Sequence, residues 1–173
     1  MKPDGSTGRD GEAGLEGGLA TRPAVPGDEP ALAAMVREYW RFEGIDAFDE
    51  GRVRTVLSSL LENPALGQAW IAERNGTPAG YVVACFVLSI EQGGVMAAID
   101  ELFVRETERG SGAGSRLLET ALAALAAAGC VRVSLEVGKH NDRGKAFYAR
   151  HGFTARDHYE LLDRPMPSGH RTS

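Results

Sequence analysis

At 173 residues and 18.4 kDa the chain has the length of one domain, enough to bury a core without disulfide or metal staples. Its 19 Lys and Arg against 24 Asp and Glu leave a net charge of −5, which speaks against binding nucleic acid through bulk charge. No run approaches a membrane-spanning length and residues 1–18 lack the apolar core of a secretory signal, so a cytoplasmic protein with no membrane partner is expected.

Residues 1–18 are rich in Gly and read as a disordered tail. A folded domain is expected over 19–164, followed by a polar C-terminal tail over 165–173. LATRPAV (19–25) predicts a short strand, stopped by Pro26, Gly27 and Asp28. Asp28 is placed to cap a helix with Pro30 in its first turn. On that helix Leu32, Met35, Val36 and Tyr39 recur at helical spacing. The stretch 42–50 breaks at Gly44 and carries Glu43, Asp46, Asp49 and Glu50 with no basic residue. A second helix is predicted over roughly 50–62, with Val53, Val56, Leu57, Leu60 and Leu61 on one side and Asn63-Pro64 at its end.

From Gln68 the period drops to two. QAWIAER and GYVVACFVL predict strands joined by a turn at Asn75-Gly76, and VMAAIDELFV (95–104) predicts a third antiparallel strand after Gly93-Gly94. A helix over about 112–128 presents Leu117, Leu118, Ala121, Leu122 and Leu125 and stops at Gly129. VRVSLEV (131–137) predicts a strand, Asp142 to His151 a short helix ended by Gly152, and FTARDHYELL (153–162) a last strand. The order implies a mixed α/β (α+β) fold, in which antiparallel N-terminal strands lead into a parallel β-α-β crossover. Cys85 and Cys130 lie in apolar runs and read as core residues. The four histidines show no ligand spacing, so no metal is expected.

The most informative stretch is Arg109-Gly110-Ser111-Gly112-Ala113-Gly114-Ser115. Three glycines alternate between a strand and an amphipathic helix. Such a loop lets backbone approach a ligand, and the helix start offers unpaired N–H groups to an anion. A plain tight turn accounts for the glycines alone equally well. A P-loop, a dinucleotide fingerprint and a nucleophile elbow all fail on spacing.

What the loop does match is [QR]-x-x-G-x-[GA], filled by Arg109, Gly112 and Gly114. With ELFVRETERGSGAGSRLL around it and LEVGKHNDRGKAFYARHGF downstream, the chain resembles the GNAT superfamily of N-acetyltransferases over roughly residues 19–162. The resemblance implies acetyl-CoA as co-substrate, entering where strands 95–104 and 131–137 splay apart. Main-chain groups of Leu102, Phe103 and Val104 would pair with the pantetheine arm. Amides of Gly110, Ser111, Gly112, Ala113, Gly114 and Ser115 would hold the pyrophosphate, with Arg109 at a phosphate. Asn141 would bond the pantetheine or position Tyr148, and Tyr148 would protonate the leaving thiolate.

Direct attack by an amine needs a base as well as an acid. Asp100 and Glu101 are adjacent on one strand and are expected on opposite faces, Asp100 together with Ala98 and Leu102. Asp100 stands where some relatives carry their carboxylate base and ranks first. Glu101, readable also as a structural carboxylate, ranks second; a bulge at this point, which the family resemblance brings with it, would reverse that order. Glu136, readable also as a surface strand residue, ranks third. The acidic stretch 42–50 hints at a small cationic acceptor, although acidic loops are often only solvated. The alternatives are a protein or peptide acetyltransferase and a non-catalytic acyl-CoA sensor. A homodimer is left open.

Overall fold

Short connections make successive strands antiparallel neighbours, and the first four strands obey that rule. The computed structural model describes residues 18–166. The tail expected over 1–18 lies outside the described residues apart from Gly18, and so does that over 165–173 apart from its first two positions. The strands are β1 (Leu19–Pro23), β2 (Gly67–Arg74), β3 (Thr77–Ser89), β4 (Gly94–Val104) and β5 (Arg132–Leu135), in one sheet of order β1-β2-β3-β4-β5. Asn75 and Gly76, at φ 51° and 78°, form the expected tight turn between β2 and β3. Only β4 and β5 run parallel, joined through helix α3 (Ala113–Ala127).

The chain divides into two units, Met1–Glu136 and Val137–Ser173. In the first, helices α1 (Glu29–Glu43) and α2 (Glu50–Glu62) cover one face of the sheet. Leu32, Met35, Val36, Val53, Leu57 and Leu60 pack there against Ala69, Ile71, Tyr81, Val83 and Phe103. The alternate strand residues Trp70, Ala72, Val82 and Ala84 are buried as well, and α3 packs on the strands that carry them. Val56, expected on the inner side of α2, is instead 63% exposed. Asp28 does precede α1, but its carboxylate is spent on the Val25 amide at 2.8 Å and on both outer nitrogens of Arg22, at 2.7 and 2.8 Å. Arg22 also reaches Glu73 at 2.7 Å, so β1, β2 and the entry to α1 share one guanidinium. Asp49 does cap α2, accepting from the Arg52 amide at 3.0 Å.

The second unit holds α4 (Asp142–Arg150). Asn141 Oδ1 caps it by accepting from the Gly144 amide at 2.8 Å. The strand expected over 153–162 does not form. The Tyr159 amide instead bonds the Arg156 carbonyl at 3.2 Å, and the Arg156 guanidinium lies 3.9 Å from the centre of the Tyr159 ring. This turn at Asp157-His158 interrupts the alternation, and Leu161 and Leu162 are exposed. β5 is likewise shorter than the seven residues expected, its pairing ending at Leu135.

Candidate active site

Residue counts on β3 and β4 decide where the two central carboxylates go. The register runs Ala84↔Ile99 and then Val83↔Glu101, so Asp100 is an extra residue, a β-bulge. One extra residue shifts the side-chain period by one. Strict alternation from Ala98 through Asp100 to Leu102 is therefore corrected. Ala98 lies opposite Cys85, on the α1–α2 side, whereas Leu102 lies opposite Val82 on the other face. Glu101 and Phe103 pair with Val83 and Tyr81 and face the core beneath α1 and α2.

Glu101 is half-buried there between two donors. The Tyr81 hydroxyl donates to Oε2 at 2.6 Å and the Trp40 indole N–H to Oε1 at 2.8 Å. Burial pushes the carboxyl pKa up, and the two hydrogen bonds and the nearby Asp100 charge modify it less, the bonds downward and the charge upward. Asp100 itself is exposed at the bulge, and Glu136 is exposed one residue beyond the last β5 pair. Neither Trp40 nor Tyr81 stood out in the sequence. The usable signal was chemical: a buried indole or phenol needs an acceptor, and 95–104 is an apolar strand with two carboxylates in it.

The bulge coincides with the end of parallel pairing. β5 accompanies β4 only from Met96↔Arg132 to Ile99↔Leu135. From Asp100 to Val104 the outer edge of β4 has no strand partner among the described residues. The Arg105 amide donates to Ala79 on β3 at 2.9 Å, so by antiparallel alternation Phe103 also points its main-chain groups at β3. Leu102 and Val104 therefore turn theirs outward. Of the three residues expected to pair with an added arm, these two have the free direction. Arg109 Nε approaches from that side and donates to the Val104 carbonyl at 3.1 Å, with its guanidinium 4.2 Å from the centre of the Phe42 ring.

The glycine loop continues from this edge. Gly110 and Gly112 both have left-handed backbone, at φ +83° and +86°, and a Cβ on either would meet no atom within 4 Å. Gly112 precedes α3, and no side chain caps the helix. The first intrahelical amide bond is Arg116 to Gly112 at 3.0 Å. The amides of Ala113, Gly114 and Ser115 thus have no acceptor within the helix, and the first turn carries no acidic residue to compete for them. The Ser111 hydroxyl turns inward to the Glu108 carbonyl at 2.7 Å. Open glycines, an uncapped helix start and a strand edge beside them fit the phosphates and the amide arm of acetyl-CoA.

In the second unit Asn141 caps α4 and Tyr148 lies on it. Asn141 Oδ1 is engaged by the cap, which holds the helix that carries Tyr148. Tyr148 is half-buried, with its ring edge-on to Phe147 and Phe153, and burial raises its hydroxyl pKa. Among the described residues no helix is long and apolar enough to cross a membrane.

Residues 32–153 match the acetyltransferase (GNAT) family. A protein of Azospirillum brasilense named IAA acetyltransferase is 35% identical over 86 residues, 50% of this chain and 54% of that one, so the chain spans about half the length of that relative. The fold is similar to the crystal structure of an integron cassette protein from the mobile metagenome of Cole Harbour Salt Marsh, with a TM-score of 0.77 and 27% identity over 89% of this chain and 94% of that one. It is also similar, with a TM-score of 0.72 and 20% identity, to a predicted acetyltransferase with acetyl-CoA from Clostridium acetobutylicum, over 84% of this chain and 96% of that one.

Proposed function

The chain belongs to the acetyltransferase (GNAT) family, an enzyme family, and from that premise we propose that it moves an acetyl group from acetyl-CoA to a primary amine by direct attack. The observation that carries this reading is the unpartnered outer edge of β4. It begins at the bulge, beside a half-buried carboxylate, and leads to the open glycine loop.

Acetyl-CoA, when bound, supplies an activated acetyl thioester. The amides of Gly110 and of Gly112 to Ser115 would hold its phosphates, that of Ser111 being committed to the Glu108 carbonyl at 3.3 Å, and Leu102 and Val104 would offer main-chain groups to its arm. Glu101 is the base. Its raised proton affinity suits a group that must take a proton from an ammonium near neutral pH, and that reverses the order in which Asp100 and Glu101 were ranked from sequence. Tyr148, kept protonated by burial, gives its hydroxyl proton to the departing sulfur. The case for Tyr148 rests on its spacing from Asn141 and Phe153 in the chain. No covalent enzyme intermediate is required.

The acceptor is a small cationic amine in this reading. Of the acids in 42–50, Glu50 is paired with Arg37 and Asp49 caps α2. Glu43, Asp46 and Asp100 are the exposed carboxylates that favour a cation. Thiol release from acetyl-CoA with a panel of polyamines, aminoglycosides and lysine peptides tests the proposal. Turnover with small amines supports it, turnover with peptides alone moves the acceptor to protein, and binding without release with any amine reduces the chain to a sensor.

A further inference from the structure

The carboxylate read as the base has two unlike neighbours. We propose that Trp40 is a positioning residue for Glu101: its indole N–H holds Oε1 as the oxygen that stays unprotonated and directs the amine's proton to Oε2, beside Tyr81. This rests on the reading of Glu101 as base.

With Glu101 ionised, both neighbours donate, Trp40 to Oε1 and Tyr81 to Oε2. When Glu101 takes a proton, one of its oxygens becomes a hydroxyl. An indole nitrogen has no lone pair to accept with, so Trp40 can only donate, and it keeps its bond best when Oε1 stays the carbonyl oxygen, the better acceptor of a neutral carboxyl group. A phenol can turn and accept. The proton therefore settles on Oε2: an ammonium N–H bond breaks, an Oε2–H bond forms, and Tyr81 rotates while keeping its own proton. The charged and titratable groups around the pair are few. Tyr81 comes from β3, Trp40 and Tyr39 from α1, Asp100 from β4 itself, and the Arg52 guanidinium of α2 lies 6.0 Å from the Trp40 ring.

Trp40 also ties this choice to the segment between α1 and α2. Its carbonyl accepts from the Ile45 amide at 2.9 Å, and its ring meets that of Phe48 edge to face at 5.6 Å.

The chain has two tryptophans, so its indole N–H spectrum is simple. Trp70, the other one, is buried with no hydrogen-bond partner for its N–H among the described residues. In ¹H–¹⁵N spectra of the full chain the Trp40 resonance is expected to titrate with the same midpoint as the acidic limb of kcat/KM. The Trp70 resonance is expected to stay put, and Glu101→Gln to abolish the titration. Trp40→Phe keeps a ring against Phe48 and removes the donor. It is expected to move the acidic limb upward by roughly one to two pH units, since a lost hydrogen bond to a charged group favours the neutral form. A Trp40 resonance that is flat across the limb overturns the proposal, as does a Trp40→Phe limb that has not moved. The spectrum decides the matter even if Trp40→Phe fails to fold. Full activity in Glu101→Gln would instead remove the base assignment, a separate failure.

Discussion

Arg109 donates from Nε to the carbonyl oxygen of Val104, five residues before it, at 3.1 Å. That carbonyl points away from β3, so the arginine lies across the strand edge an added arm would use. Its guanidinium also lies over the exposed Phe42 ring. Arg109→Ala loses one hydrogen bond and the cation–π contacts with Phe42 and, at 6.0 Å, Phe103, together about 1–2 kcal/mol, which lowers Tm by about 2–8 °C in a chain of this size. Acetyl-CoA affinity is expected to hold or rise, because a main-chain acceptor is released. Titration calorimetry checks this. A loss beyond about tenfold, or 1.4 kcal/mol, would assign the guanidinium to the phosphates instead.

Gly112→Val and Gly129→Ala form a matched pair. Both glycines have left-handed backbone with open space where a Cβ would go, so each substitution costs about 1 kcal/mol or somewhat more in the free protein. Only Gly112 borders the loop that leads into α3. Acetyl-CoA should raise the melting temperature of Gly129→Ala as it does that of the parent chain, and should fail to raise that of Gly112→Val. Equal responses would mean that the loop does not hold the phosphates.

Glu101→Gln and Asp100→Asn remove the same charge one residue apart. Glu101→Gln is expected to lower kcat/KM for the amine by about 10²–10⁴, the usual worth of a general base, and Asp100→Asn by much less. Stability separates the roles further. The folded chain raises the Glu101 pKa, so this group's favourable contribution is present below its unfolded value near 4.3 and is lost as pH rises through the folded value. Glu101→Gln should therefore gain on the parent chain in denaturant melts as pH rises toward neutrality, while activity falls. A carboxylate retained only for structure would give a large stability loss with its activity preserved.

Tyr148→Phe keeps the ring contacts with Phe147 and Phe153 and removes the hydroxyl. We expect kcat to fall by about 10²–10⁴ with acetyl-CoA affinity retained. Burial raises the Tyr148 pKa, so an alkaline limb due to its ionisation should lie above the ordinary tyrosine value near 10. An unchanged kcat would make Tyr148 a packing residue.

The order of elements was legible because each rests on local pattern. Leu117, Leu118, Ala121 and Leu125 announce α3, Asn75-Gly76 the hairpin of β2 and β3, and the alternate glycines the open loop. The bulge at Asp100 was not legible in the strand's own pattern, because it is a mismatch between two strands and neither strand records it alone; the family resemblance alone offered it as an alternative. The Trp40–Glu101 bond spans 61 positions and links two elements whose packing no window of sequence contains. The expected strand over 153–162 failed for a simpler reason. Its alternation is broken in the middle by Asp157-His158, where the chain turns back on Arg156.

Asp100 has a second consequence, one of length rather than of chemistry. Its side chain is exposed, so many replacements would be tolerated there. Ile99 and Glu101 already pair with Ala84 and Val83, which are neighbours on β3, so removing Asp100 would keep both pairs and leave Glu101 and Phe103 on the side of Tyr81. What would go is the local bend and added twist of a bulge, at the point where β5 stops pairing and the free edge of β4 begins. Asp100 therefore shapes the edge rather than the alternation, and its deletion alters the one while sparing the other.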